Sequence, residues 1–304
     1  MKRSVWSQVL LGAFATLLLP AQLAYAQSQV GVSAAVRGSV DVRSGGVSRA
    51  PLAGEVMLLG DRVRTQLRSG MQVLLLDESV FTVGESNDLV IDRFVYDPDR
   101  GVGEIAARST QGFLRFVSGG VGAIAPQNIS LTTPSATIGT RGTSIDVVVG
   151  PDAVALAQQL GLIGPNDQVD PATAVFVILR GPAVQYGGIT QRGRVIVETP
   201  AGSVEVRREG YGVFVPFAGA APSEAVLVPL TIIQSVVESI ELPGVGITQQ
   251  TGGVNITDLS GIDINPGDVF DLPQPGDNNP DVTGTGFRER VSGQGPGCVY
   301  SCYP

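Results

Sequence analysis

From Ala35 to about Phe217 the chain is written in short apolar runs rich in Val and Ile, each cut off by Gly, Pro, Asn or Asp. Val73 to Leu76, Ser79 to Val83, Leu89 to Val95, Gly112 to Val117, Ser144 to Val149, Ala174 to Leu179, Arg194 to Glu198 and Gly212 to Val215 are the clearest. Runs of four to eight residues enriched in β-branched side chains and bounded by turn formers predict strands. Val195 and Val197, then Val204 and Val206, alternate with a period of two, as strands with one buried face do. Long helical patterns are missing here, so the fold class expected is all-β.

Two segments depart from that pattern. Residues 151–162 predict a short helix that starts at Pro151 and Asp152 and stops near Gly161, within an insertion spanning 150–172. Val228 to Ile240 predicts a second helix in the segment 219–242. Its Ile232, Ile233, Val236, Val237 and Ile240 form an apolar stripe at helical spacing, expected to pack on the parent domain.

The chain also repeats itself weakly. Residues 129–149 align without gaps on 195–215, sharing Thr, Pro, Arg and two Val. A strand, a Thr-Pro corner, a short strand, a turn and a third strand would then recur. Recurring units of this kind suggest a β-solenoid or roll, with a two-sheet β-sandwich as the alternative.

Residues 1–26 have the form of a secretory signal peptide. Lys2 and Arg3 precede an apolar stretch from Val9 to Leu19, then Pro20 and an Ala24-Tyr25-Ala26 cleavage site, which places the cut between Ala26 and Gln27. The apolar stretch is short of the ~20 residues a membrane span needs. The expected location is therefore extracytoplasmic, in the periplasm or at the cell surface. Removing the leader removes Lys2, the one lysine of the chain, and there is no His.

That composition excludes much chemistry. His-based triads and His-ligated metals need an imidazole, while Schiff bases and P-loops need a lysine. Carboxylate-pair hydrolysis needs neither, but no spacing singles out a pair among Asp77, Glu78, Asp92 and Asp146. No enzymatic activity, cofactor or metal is expected. With 20 basic against 28 acidic residues the chain lacks the positive stripe that nucleic acid requires.

The last 62 residues, 243–304, hold 12 Gly and 7 Pro, with seven acidic residues against Arg288 and Arg290. Such a composition predicts a disordered acidic tail. Cys298 and Cys302 lie at its end, and an oxidising compartment would join them in a small-loop disulfide, pairing between chains being the weaker option.

The run Thr133 to Val147, T-P-S-A-T-I-G-T-R-G-T-S-I-D-V, resembles the signature of FecR-type domains, in which a Thr-Pro and a Gly-x-Arg-Gly-Thr turn lead into an apolar strand. Ala35 to Val42, Gly60 to Gly84, Phe94 to Asp97, Gly112 to Gly119, Phe176 to Val184 and Ala201 to Val215 are similar to other strands of that family, so the resemblance covers roughly residues 33–218. It implies an extracytoplasmic, solenoid-like β module that works through protein contacts. In the family's regulators that module stands outside a transmembrane helix and a cytosolic anti-sigma domain, and relays a signal from an outer-membrane iron-siderophore transporter. This sequence shows neither of those two parts, so the form expected is a stand-alone exported module.

Within the motif, Thr133, Pro134, Gly139 and Gly142 are expected to build a tight turn, Gly139 and Gly142 by adopting unusual φ and Arg141 by bonding nearby carbonyls. The sharper alternative makes Arg141 and Thr143 a contact for a ligand or partner carboxylate. A protein partner in the envelope is the leading expectation. An envelope structural role, or carbohydrate or peptidoglycan binding through aromatics such as Tyr96 or Tyr186, are the alternatives.

Overall fold

A computed structural model describes residues 28–182, 193–242, 248–250 and 253–255. The proposed leader with its Ala26-Gln27 cleavage site, Tyr186, both cysteines and nearly all of the tail lie outside the described residues. All described residues belong to the first of two compact units, Met1–Ser260.

The strands follow one another along the chain at short intervals. They begin with β1 (Gln29–Arg37), β2 (Val40–Ser44), β3 (Val47–Arg49), β4 (Val56–Leu58), β5 (Arg62–Thr65), β6 (Gly70–Leu75) and β7 (Val80–Val83). Next come β8 (Asp88–Asp97), β9 (Val102–Ser109) and β10 (Gly112–Val117), then a short helix α1 (Gly120–Ile124) and a 3-10 turn at Pro126–Asn128. The chain continues with β11 (Ile129–Thr132), β12 (Thr137–Arg141), β13 (Thr143–Val149), helix α2 (Pro151–Gln159) and β14 (Val175–Pro182). Last are β15 (Arg194–Thr199), β16 (Gly202–Val206), β17 (Tyr211–Val215), β18 (Val226–Leu227), helix α3 (Leu230–Ile240) and a small hairpin of β19 (Thr248–Gln250) with β20 (Gly253–Asn255).

The protein is all-β in class, and β1 to β18 form two large sheets. The first runs β4-β1-β6-β7-β10-β13-β14-β17-β18, and the second β3-β2-β5-β8-β9-β11-β12-β15-β16. The chain therefore passes back and forth between two open layers while advancing along both. Apart from β4 outside β1 and β3 outside β2, both sheets keep chain order, as a roll does, yet nearly all neighbours are antiparallel, as in a sandwich. The exception is β9 with β11, which pair in parallel. A parallel pair needs a crossover, and β10, α1 and the 3-10 turn supply it.

The internal repeat corresponds to structure. β11 and β12 in the second sheet followed by β13 in the first recur as β15 and β16 followed by β17. The Thr-Pro corner turns the chain in both copies: Thr133 Oγ1 accepts from the Ala136 amide, and Thr199 Oγ1 accepts from that of Ala201.

Three kinds of surface result. The faces that meet between the sheets form the main core, with Val42, Val63, Leu89, Ile105, Leu114, Phe116, Ile138, Ile145, Val177 and Val197 among its members. The outer face of the first sheet is apolar too. Phe113, Val148, Phe176, Ile178 and Phe214 pack there against Ala153, Leu156 and Ala157 of α2 and Ile232, Ile233, Val236 and Ile240 of α3. Burying each large aliphatic side chain contributes about 1.5–3 kcal/mol, enough to hold two short helices in place. Strands covered on both faces read as unbroken apolar runs, which is why β10 and β13 are buried throughout.

The third surface, the outer face of the second sheet, is charged and open. One row of paired residues crosses all nine of its strands: Ser48, Arg43, Arg62, Val90, Arg108, Thr132, Thr137, Glu198 and Ser203. On this face Arg93 pairs with Glu104, and Arg108 with Asp92. Arg62 and Arg64 both hold Asp88. Burial pushes the Asp88 carboxyl up, but the two guanidiniums outweigh it and hold the group below the usual carboxylate range. No helix among the described residues is long and apolar enough to cross a membrane.

Candidate interaction surface

The Thr133–Val147 motif carries the chain from the second sheet into the first. Thr133 caps the turn, its hydroxyl accepting from the Ala136 amide and donating to the Ala136 carbonyl, with Pro134 inside that turn. Gly142 adopts a φ of +54° at the step from β12 to β13. Gly139 differs from the expectation. It sits inside β12 without a positive φ, and a Cβ added there would meet nothing within 4 Å. Pairing with β11 and β15, not a turn, sets its conformation.

Thr143 and Arg141 part company. Thr143 is fully buried, its amide donating to Ser118 Oγ and its hydroxyl to the Gly181 carbonyl at 2.6 Å. It joins β13 to β14 and is out of reach of a partner. Arg141 is exposed at the end of β12, and among the described residues its side chain makes no hydrogen bond or ion pair, so it does not bond nearby carbonyls.

What surrounds Arg141 is the least expected feature of the open face. In the ladder of β12 with β15, Arg141 stands directly opposite Arg194. In the ladder of β15 with β16, Val195 stands opposite Val206, which puts Arg207 next to Arg194 at the sheet edge. Arg141 and Arg207 occupy equivalent positions in the two copies of the repeat, 66 residues apart. The second copy thus returns the same side chain to the same height two strands along, with β15 between them.

Like charges side by side on a sheet repel, and a single carboxylate offsets this row. Glu205 accepts from Arg207 and, at 3.2 Å, from Arg194. The Arg207 bond is the main reason that the Glu205 carboxyl sits below its ordinary value, and Glu205 in turn raises Arg207. Three guanidiniums against one carboxylate leave a cationic patch on an acidic chain of net charge −8.

The patch ends at an open strand. β16 is the last strand of the second sheet, and at five residues it is longer than the other terminal strands β3, β4 and β18. The loop between β15 and β16 is only Pro200-Ala201, so Thr199 and Gly202 must be a hydrogen-bonded pair. Alternation then directs the backbone of Gly202, Val204 and Val206 toward β15, and the N–H and C=O of Ser203 and Glu205 outward.

A second charge cluster lies on the opposite side of the molecule. Asp146, at 0% exposure, receives two bonds from Arg115, at 2.7 and 3.0 Å. Arg180 Nε lies 3.2 Å from the same carboxylate, an ion pair whose geometry falls short of a hydrogen bond. Burial depresses Arg180, whereas for Arg115 burial is outweighed by Asp146, with a further push from Glu241 at the end of α3. The three residues lie on β10, β13 and β14 and tie those strands together. The sequence signal is a charge inside two apolar runs, Arg115 and Asp146, and one, Arg180, directly after a third.

The remaining sequence candidates are occupied elsewhere. Asp77 accepts from the Val121 amide, the Ser79 amide and the Ser79 hydroxyl, and so anchors the start of α1. Burial nevertheless pushes its carboxyl up. Tyr96 is half-buried against Gly120 and the core, and so offers no open aromatic platform.

No protein-family profile matches the chain, and no curated protein matches it. Two crystal structures of a protein from Parabacteroides distasonis described as a candidate anti-sigma factor, at 1.65 and 2.50 Å resolution, align with it at 12% identity and a TM-score of 0.37. Each covers 57% of this chain, and 63% or 62% of the solved chain. This chain therefore spans less than two thirds of the length of either, and the likeness is distant.

Proposed function

We propose that the chain is an exported, non-catalytic protein-interaction module of FecR type that acts in envelope signalling. The observation that carries this reading is the row of Arg141, Arg194 and Arg207 on an open sheet face, running to a free strand edge. The apolar face of the other sheet is covered by helices, whereas this row reaches a strand edge whose outward backbone groups meet no bond among the described residues. The motif of Thr133 to Val147, which carries the resemblance, contributes Arg141 to the patch, while its Thr133 and Gly142 turn the chain on either side of β12.

The test is photo-cross-linking in living cells, with the reactive residue placed at 207 or, as a control on the same sheet, at 43. The reading expects one discrete adduct with an envelope protein from position 207 and none from position 43. Absence of an adduct, or the same unresolved smear from both positions, contradicts it.

One observation favours a second reading, an assembly role in the envelope. Val47 on β3 and Val56 on β4 are exposed at one terminal edge of the sheets, and Leu227 on β18 at the other. Head-to-tail stacking would cover them. Size-exclusion chromatography across a concentration series separates the two, since polymers favour assembly and a monomer favours the signalling module.

A further inference from the structure

We infer that the edge of β16 accepts an extended acidic segment of a partner protein as an added strand, with the arginine row selecting its charge. The inference rests on the interaction-module reading and names its site and chemistry.

Strand addition needs unpaired backbone groups and a reason for specificity. Ser203 and Glu205 supply the first, because the two-residue loop fixes their N–H and C=O outward, where no bond among the described residues meets them. Ser203 is exposed and no bulge interrupts the strand. Natural proteins usually blunt such an edge with short strands or unfavourable charge. β3, β4 and β18 follow that rule by length, and β16 does not.

The arginine row supplies the second requirement. Neighbouring strands lie about 4.8 Å apart, so a carboxylate on an added strand meets Arg207 first. Arg194 is one strand further in, and Arg141 lies about 14 Å away, three strand spacings from the newcomer. Glu205 offsets only part of this charge, since it serves two of the three guanidiniums. An acidic segment is attracted, and a basic one is repelled by the same row. The geometry thus predicts a gradient, with Arg207 mattering most and Arg141 least.

The probe is a fluorescent eight-residue peptide alternating Thr and Glu, with a Thr/Gln peptide as its neutral counterpart, titrated against the full chain by anisotropy. The Thr/Glu peptide is expected to bind up to about tenfold tighter than the Thr/Gln peptide at low salt, and to lose that advantage as salt rises. Arg207→Ala should weaken it about three- to fivefold, Arg194→Ala about twofold, and Arg141→Ala less than that. Ser203→Pro removes one outward N–H on an edge where proline is tolerated, and should weaken binding about tenfold. Should that variant fail to fold by circular dichroism, N-methylation of alternate peptide amides reads strand pairing without touching the protein, and the same loss is expected.

No binding overturns the inference. So does an unchanged affinity for both Ser203→Pro and the N-methylated peptide, or an Arg141→Ala effect equal to that of Arg207→Ala, which would mean binding across the sheet face. A peptide that fails to bind, together with a persistent cross-link at position 207, removes this strand-addition mode while leaving the interaction module standing.

Discussion

Replacing Asp146 by Ala tests how the first sheet is held together. The carboxylate is wholly inaccessible, and the Arg115 and Arg180 side chains beside it are only 9% and 15% exposed. Removing it takes away two charge-assisted bonds and leaves two largely buried guanidiniums without their shared counter-ion. Breaking a buried ion pair from one side costs about 3–5 kcal/mol, because an uncompensated charge remains. Against a total stability of about 5–15 kcal/mol, that is a large fraction. With a urea dependence of about 2 kcal/mol per molar, the unfolding midpoint should fall by about 1.5–2.5 M. The companion variant Arg115→Met/Asp146→Leu/Arg180→Met removes the whole cluster, and apolar replacement of buried ion pairs is often neutral. It should regain most of the lost midpoint. Urea titrations followed by fluorescence and by circular dichroism read both variants. A loss below about 1 kcal/mol for Asp146→Ala, or a triple variant no better than the single one, refutes the view that buried unpaired charge sets the cost.

Further outcomes follow from other sites. Asp77 holds its proton more tightly folded than unfolded, so it subtracts stability as pH rises from about its ordinary value of 3.8 through its raised folded value. The stability of the parent relative to Asp77→Asn should therefore decline as pH rises above about 4, and a difference independent of pH in paired urea midpoints contradicts this. Thr143→Val keeps the shape but leaves the Gly181 carbonyl without its 2.6 Å donor, which should cost about 1–2 kcal/mol and lower the calorimetric Tm by roughly 2–4 °C per kcal/mol. Two glycines should behave oppositely in the same assay. Gly139→Ala has open space and no positive φ, and should leave the Tm unchanged or raised, whereas Gly112→Ala has a φ of +73° and a Cβ placed 2.3 Å from the Ser86 carbonyl oxygen, and should cost more than about 2 kcal/mol.

Much of this architecture is legible in the sequence because burial leaves a period. The run Gly112 to Val117 is β10 residue for residue, and Ser144 to Val149 is β13 less its first residue. The stripe of α3 meets the first sheet as its spacing requires, with Ile232, Ile233, Val236 and Ile240 buried. α1 escaped because Gly120-Val121-Gly122-Ala123-Ile124 carries no helical pattern, and its start is set by Asp77 from a distant turn. β3, β4 and β18 are two or three residues long, too short to show a period.

The site was legible only in part. Arg141 stood out in its motif, but Thr143 beside it is internal, because the chain crosses from one sheet to the other between them. A gapless repeat contains Arg207 as the equivalent of Arg141. That the two flank Arg194 depends on strand order across the sheet, and periodicity along the chain does not encode it. The Asp146 cluster has the same origin: each member is a single charge in or directly after an apolar run, and only registry brings them together.

In the proposed strand-addition mode, the edge of β16 beside the arginine row is where the partner segment docks. Amide hydrogen exchange resolved to single residues tests it most directly, on the full chain with and without the acidic peptide or a cross-linked envelope partner. The amides of Ser203 and Glu205 are expected to exchange quickly in the free protein and to slow markedly in the complex, while Val204 and Val206, already bonded to β15, change little. Protection that appears on another edge or face, with Ser203 and Glu205 still exchanging freely, contradicts it.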